Sequence, residues 1–365
     1  MMNRRQFFQT SMSTLFFPAF SFSDTENAPK AQFFRSEGED VVCELCPHDC
    51  FLHPGDRGIC GVRGNINGVL RTFVFNQTCR KNESSIESMP LYHFFPGARV
   101  LSVATPGCNM ECPYCNTSIH SQFRPEDVRG ILSLTPEQLI QEAVLYQLDI
   151  IAFTYTEPII AYEWVLETAE LAKKQGIKIV LVTNGFIHEK PLRVLAPYLS
   201  ACKIDLKSFN PEHYTKILKG GLSTILKTAS ILKEYSVWLE FYVLVVEGLN
   251  ETPEEITQLS QHLYTEFGQV PVFFSRFFPS YKMNTVPSTR EELLKQCERI
   301  ARKAKLEYVY LGNLNSRSST FCPQCHFELI IRENGTQDGI QECRIRQGCC
   351  PSCQTPIPGV WEDSH

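Results

Sequence analysis

Between residues 98 and 313 the chain switches repeatedly between short apolar runs and longer amphipathic stretches. That alternation restricts its fold more than any other feature. The runs are "RVLSVAT" (99–105), "DIIAFTYT" (149–156), "IKIVLVTN" (177–184), "CKIDLKS" (202–208), "VWLEFYVLVV" (237–246) and "VPVFFSRFFP" (270–279). Helical patterns fill the gaps at 135–147, 159–175, 221–235, 252–267 and 289–305. Thr135 before Pro136 and Glu137, and "TPEEI" from Thr252, read as helix starts. Gly176 reads as a C-terminal cap just ahead of the third run. Strands alternating with helices predict right-handed parallel βαβ units. Nearly continuous apolar strands predict a sheet buried on both faces. An open doubly wound sheet and a barrel both satisfy this pattern, and in either case ligands bind at the carboxyl ends of the strands.

Those strand ends carry the polar chemistry. "TPGCNMECPYC" follows the first strand, and Glu157-Pro158 follows the second. The third ends in Thr183-Asn184-Gly185, and the sixth carries Arg276. Asp205 and Lys207, two apart on the fourth, share one face. Taken singly, each is an ordinary surface carboxylate, turn or solvated pair. Gathered after successive strands, they predict a site at one rim of the sheet.

The chain has 16 cysteines, grouped at short spacings. Such grouping reads as metal ligation in a reduced protein rather than as a disulfide framework. Cys108, Cys112 and Cys115 form C-x3-C-x2-C with no fourth cysteine within reach. An iron–sulfur cube is ordinarily held by four thiolates, so three would leave one iron open. The alternative is a zinc tetrahedron completed by His120. Cys322, Cys325, Cys350 and Cys353 form two C-P-x-C knuckles separated by 24 residues, a zinc-ribbon pattern. A rubredoxin-like iron site is its alternative, and Cys349 could replace Cys350, though Pro351 favours Cys350 by symmetry with Pro323. Cys43, Cys46, Cys50 and Cys60 form C-x2-C-x3-C-x9-C, which suits zinc or an auxiliary [4Fe–4S] cluster. His48 and His53 read there as neighbours rather than ligands. Cys79, Cys202 and Cys297 read as small buried hydrophobes.

The three-cysteine spacing, with the aromatic Tyr114 just before the last cysteine, resembles the radical S-adenosylmethionine (SAM) superfamily. "TYTEP" (154–158), "LVTNG" and "KIDLK" resemble strand ends of the glycyl-radical-enzyme activases. Over residues 43–361, "CELCPHDCFLHPGDRGICGVRGN", "MPLYHFFPG", "SRFFPSYKM" and "TPIPGVW" resemble the AmmeMemoRadiSam-system radical SAM enzymes, relatives of the pyruvate formate-lyase activating enzyme. The resemblance implies a partial (β/α)6 barrel of the TIM type, flanked by an N-terminal Cys-rich module and a C-terminal zinc ribbon. It implies a [4Fe–4S] cluster on Cys108, Cys112 and Cys115, with SAM as the ligand of the open iron. Tyr114, Glu157, Asn184 and Asp205 would lie against SAM, and Lys207 would face the target. The implied activity is reductive cleavage of SAM to a 5′-deoxyadenosyl radical that takes hydrogen from a protein or peptide. A small-molecule target and a non-catalytic electron-carrier or binding module are the alternatives. A flavodoxin- or ferredoxin-like protein would supply the electron. Six positions, in three segments, depart from the relatives. Val182 stands where the activases have Asp, Asn116-Thr117-Ser118 replaces Gln-Asn-Trp, and Phe273 and Phe278 replace histidines, which removes any proton transfer there.

A net charge of −5 supplies no basic footprint for nucleic acid, and no apolar run is long enough to span a bilayer. Residues 1–23, with paired arginines, an apolar stretch from Met12 to Phe22 and small Ser21 and Ser23, resemble a bacterial twin-arginine export signal. That implies a periplasmic protein, with the cytoplasm as the alternative. The expected organisation is this leader, a linker and Cys-rich module over 24–97, the core over 98–313 and the ribbon over 314–365.

Overall fold

Eight strands make the central sheet of the computed structural model, which describes residues 27–314, 316–333 and 339–361. They are β1 (Arg80–Ser85), β2 (Arg99–Ala104), β3 (Ile150–Phe153), β4 (Lys178–Thr183), β5 (Ala201–Asp205), β6 (Trp238–Val245), β7 (Val272–Arg276) and β8 (Val309–Gly312). Their order in space is their order in the chain. β2 to β8 run parallel, and β1 lies antiparallel on the outer edge of β2. β1 and β8 do not pair with each other, so the barrel stays open on one side.

Helices α1 (Pro136–Leu145), α2 (Tyr162–Lys174), α3 (Glu189–Leu195), α4 (Leu222–Glu234), α5 (Pro253–Phe267) and α6 (Glu291–Lys303) connect the parallel strands. The start of α1 is fixed by a reciprocal cap. Thr135 Oγ1 accepts from Gln138 N, and Gln138 Oε1 accepts from Thr135 N. α5 buries Ile256, Leu259 and Leu263, and α6 buries Leu294, Cys297 and Ala301, each at helical spacing along one face. Gly176, at φ +71°, ends α2 in the left-handed conformation that an L side chain resists.

The inner face of the sheet is plugged at its lower end. The segment from Ile86 to Ala98 crosses beneath it, and buried Glu240 on β6 accepts from the backbone N–H groups of Tyr92 and His93, both at 2.8 Å. Residues 316–333 and 339–361 then close over Tyr92, Phe273, Tyr308 and Tyr310 with Cys322, Leu329, Ile330, Cys350 and Ile357. Arg332, fully buried, donates to Tyr92 O at 2.8 Å and to Thr320 Oγ1 at 2.9 Å.

The N-terminal residues form a three-stranded antiparallel sheet (Phe34–Glu37, Asp40–Cys43, Phe51–Leu52) and a hairpin (Arg63–Ile66 with Val69–Thr72). Val41, Leu45, Leu52 and Leu70 join the same apolar core as Leu101 and Trp164. A buried ion pair, Arg63 to Glu163 at 3.0 Å, ties the hairpin to α2.

Six strands are expected from the sequence, and the sheet adds β1 and β8. β1 is "RKNESS", an edge strand whose polar residues give no apolar run. β8 is four residues long, too short to register as a period. Within the expected linker, Phe34–Glu37 forms a strand paired with Asp40–Cys43. The expected export leader lies outside the described residues. No helix among the described residues is long and apolar enough to cross a membrane.

Candidate active site

The loop leaving β2 enters the site through Gly107, at φ +99°. An added Cβ there would meet Val62 Cγ1 at 2.6 Å and the Cys60 carbonyl at 2.9 Å, so glycine is required where this loop passes beneath the N-terminal module. The next residues carry Cys108, Cys112 and Cys115. Backbone and hydroxyl groups address two of their sulfurs. Met110 N donates to Cys108 Sγ at 3.4 Å, and the Ser121 hydroxyl lies 3.1 Å from Cys115 Sγ.

One cavity of about 420 Å³ at the carboxyl ends of the strands is lined by Cys108, Cys112, Tyr114, Cys115, Glu157, Asn184, Asp205 and Lys207 together. Every residue expected to hold the cluster, SAM or the target thus faces a single space. Arg276 is not among the residues lining it.

Glu157 sits at the end of β3, 2% exposed. Its carboxylate accepts from Ile159 N at 3.1 Å, Thr183 Oγ1 at 2.6 Å and Asn184 N at 2.8 Å. Burial pushes its acid up to about 7, against the pull of those donors. Asn184 then reaches the cysteine loop, donating through Nδ2 to Asn109 Oδ1 at 2.8 Å. Asn109 in turn donates to Phe186 O at 2.8 Å. The ends of β3 and β4 and the cysteine loop are therefore one hydrogen-bonded unit.

On β5, Asp205 lies between two lysines, with Lys203 Nζ at 2.7 Å and Lys207 Nζ at 3.5 Å. Burial opposes its ionisation, but the Lys203 and Lys207 charges outweigh it and hold the carboxyl below its ordinary value. Burial would lower Lys207, yet the Asp205 carboxylate outweighs it and raises it, so it carries its charge. Cys108 and Cys112 are raised by burial, Cys112 to about 11, so as free thiols they stay protonated and would ionise on meeting a metal. The Tyr114 hydroxyl is buried beside this cavity without a hydrogen-bond partner.

Several lining residues are absent from the sequence reading. Lys203 continues the Asp205–Lys207 face by two residues, so strand alternation carried the signal for it. Arg80 and Tyr155 were not legible. Arg80 belongs to the unrecognised β1 and stacks 4.0 Å over the Tyr155 ring, and Tyr155 is held at φ +66°. Phe273 is fully buried against Tyr92 and Tyr310, while Phe278 is half exposed.

The cysteine groups differ in spacing. The sulfurs of Cys322, Cys325, Cys350 and Cys353 all lie within 4.8 Å of one another, with Cys322 to Cys353 at 3.5 Å and Cys325 to Cys350 at 3.6 Å. That suits one tetrahedral ion, and it selects Cys350 over Cys349. Among the described residues, no such convergence joins three of Cys108, Cys112, Cys115 and His120, so the zinc tetrahedron with His120 is not formed. Three soft thiols spread wider than a single ion allows, opening on a cavity that also holds an unpartnered hydroxyl, fit a larger cluster.

The comparisons agree with this chemistry. The sequence profile of the Radical SAM superfamily matches residues 102–263. The chain is 35% identical over 307 residues to the uncharacterized protein MJ0808 of Methanocaldococcus jannaschii, covering 83% of this chain and 91% of that one. It is 24% identical over 219 residues to the 7-carboxy-7-deazaguanine synthase of the same organism, covering 55% and 85%. To the pyruvate formate-lyase 1-activating enzyme of Escherichia coli K12 it is 26% identical over 176 residues, covering 46% and 68%. That superfamily works with a [4Fe–4S] cluster and SAM, and the matched span runs from inside β2 into α5, carrying the cysteine loop and three further strand ends of the cavity. By sequence, fold and site, the chain belongs to the Radical SAM superfamily.

Proposed function

We propose that this protein is an activase-like radical SAM enzyme in which Cys108, Cys112 and Cys115 hold the cluster and one iron is left for the amino and carboxylate groups of SAM. When bound, cluster and cofactor supply one-electron cleavage of the sulfonium to a 5′-deoxyadenosyl radical, which takes a hydrogen atom from the target. The observation that carries this reading is the single cavity joining the three cysteines to Glu157, Asn184 and Asp205. Glu157 holds the β3 and β4 ends in position and keeps an acceptor site for an ammonium group. Asn184 fixes the cysteine loop against β4. Tyr114 offers an uncommitted hydroxyl to that cavity.

The target in this reading is a protein or peptide, by analogy with the activating enzyme among the relatives. Lys207, positively charged beside Asp205, would meet a backbone carbonyl of that target. The cavity size and the deazaguanine synthase relative favour a small molecule as the second reading. The reading includes a flavodoxin- or ferredoxin-like electron donor, zinc on the C-terminal quartet and export directed by residues 1–23. Cell fractionation with and without Arg4→Lys/Arg5→Lys tests the last of these.

The test of the main reading is spectroscopic. Adding SAM to the anaerobic, dithionite-reduced protein should shift the electron paramagnetic resonance of the cluster on Cys108, Cys112 and Cys115, and Cys112→Ala should lose the SAM-responsive signal. An unchanged signal in a fully loaded wild type would leave only a binding or electron-carrier module.

A further inference from the structure

Cys43, Cys46, Cys50 and Cys60 lie on the N-terminal sheet and its loops, apart from the strand-end cavity. Cys43 ends a strand, and its N–H donates to Cys50 O at 3.0 Å, bringing the first and third cysteines together. Asp49 N donates to Cys46 O at 3.1 Å, which turns the chain from Cys46 back to Cys50, and a Cβ on Gly58 would meet Cys50 Sγ at 3.4 Å, which sets the third cysteine beside the turn that carries Cys60.

Spacing decides between one ion and a cluster. A tetrahedral ion bound at about 2.3 Å by each sulfur holds the sulfurs roughly 3.8 Å apart. The C-terminal quartet shows that geometry, at 3.5 and 3.6 Å. Among the described residues, the N-terminal four have no three ligand atoms within 4.8 Å of one another. A cube, with each sulfur on its own iron, needs the wider spacing. Charge points the same way. Arg63, on the hairpin beside these cysteines, is 1% exposed, is paired with Glu163 at 3.0 Å and keeps a buried Nε without a hydrogen-bond partner. A buried cation beside four thiolates offsets the negative charge of a cluster and eases its reduction.

The module also touches the catalytic loop. His48, between Cys46 and Cys50, donates through Nε2 to the carbonyl of Asn109 at 2.7 Å, next to Cys108. The carbonyl of Cys60 packs against Gly107 on the other side of Cys108, and Cys60 and Cys108 line one cavity.

We infer that Cys43, Cys46, Cys50 and Cys60 hold a second [4Fe–4S] cluster, which relays single electrons from a ferredoxin- or flavodoxin-class protein to the cluster on Cys108, Cys112 and Cys115. The carrier loses one electron, the N-terminal cluster goes from its 2+ to its 1+ state, and it returns to 2+ as the cluster on Cys108, Cys112 and Cys115 is reduced. No bond forms or breaks and no proton moves. The relay rests on the reading of the Cys108 loop, whereas the N-terminal cluster itself does not.

The test is metal analysis and paramagnetic resonance of the anaerobically reconstituted full chain. The wild type should hold about eight iron atoms with one zinc, and Cys46→Ser/Cys60→Ser should halve the iron without loss of zinc. Cys112→Ala should remove the other half. Wild-type protein with about four iron atoms and two zincs overturns the second cluster even if the double variant does not fold. Iron that is halved by Cys46→Ser/Cys60→Ser but untouched by Cys112→Ala keeps the N-terminal cluster and sinks the proposed function instead. For the relay, a reduced ferredoxin should reduce the SAM-responsive cluster at least tenfold more slowly in the double variant, while dithionite still reduces it. Equal rates with ferredoxin overturn the relay.

Discussion

Gly107 and Glu157 set the geometry of the site from opposite sides. Gly107→Ala would press a Cβ against Val62 and the Cys60 carbonyl at a φ of +99°. The strain and overpacking should cost about 1–3 kcal/mol and displace Cys108. Denaturant unfolding and iron retention measure both effects, and an alanine variant as stable and as iron-loaded as wild type would contradict the close approach. Glu157→Gln exchanges one of two accepting oxygens for a donor facing Thr183 Oγ1 or the N–H groups of Ile159 and Asn184. The expected cost is about 1–3 kcal/mol, with SAM affinity reduced at least tenfold by titration calorimetry. Unchanged affinity would remove Glu157 from the cofactor's surroundings.

His93 lies in "MPLYHFFPG", a motif whose place in the fold the sequence did not disclose. It lies in the plug beneath the sheet, fully buried, with Nδ1 2.6 Å from Pro358 O and Nε2 2.7 Å from the Tyr310 hydroxyl. The carbonyl only accepts, so Nδ1 carries the proton and Nε2 accepts from Tyr310. Burial, with the Arg332 charge, lowers its pKa from 6.5 to about 3. A depressed pKa means that its stabilisation is complete above 6.5 and is lost as the pH falls toward 3. The stability gap between wild type and His93→Asn should therefore narrow from pH 7.5 to pH 5 in denaturant titrations, and a gap that widens would contradict the neutral tandem. The six principal strands and five long helices were legible because each is a run of one period bounded by caps such as Thr135, Thr252 and Gly176. β1, β8 and the plug were not, because their residues are fixed by contacts distant in sequence, such as Tyr92 with Glu240. The cavity was legible from the polar residues at the strand ends, such as Glu157 and Asn184, and Lys203 could have been read the same way. Arg80 could not, since it reaches the cavity from an edge strand with no apolar pattern.

At the scale of the molecule, the C-terminal quartet sits among the residues of 316–333 and 339–361 that close the lower end of the barrel. Cys350→Ser, which removes one ligand of the metal proposed there, should expose Tyr92, Tyr308 and Tyr310 and lower the thermal midpoint by several degrees, with new proteolytic cuts after residue 316. Iron at the cysteine loop should stay in place. An unchanged midpoint would make the quartet dispensable to the fold. The whole arrangement, barrel, plug and N-terminal module, serves one open-ended three-cysteine loop. Its most direct test is the release of 5′-deoxyadenosine after anaerobic reconstitution, reduction with dithionite and addition of SAM. Wild type should release 5′-deoxyadenosine and methionine in equal amounts, and a folded Cys112→Ala protein should release neither. A fully loaded wild type that releases no 5′-deoxyadenosine, or a Cys112→Ala protein that still does, would contradict this reading.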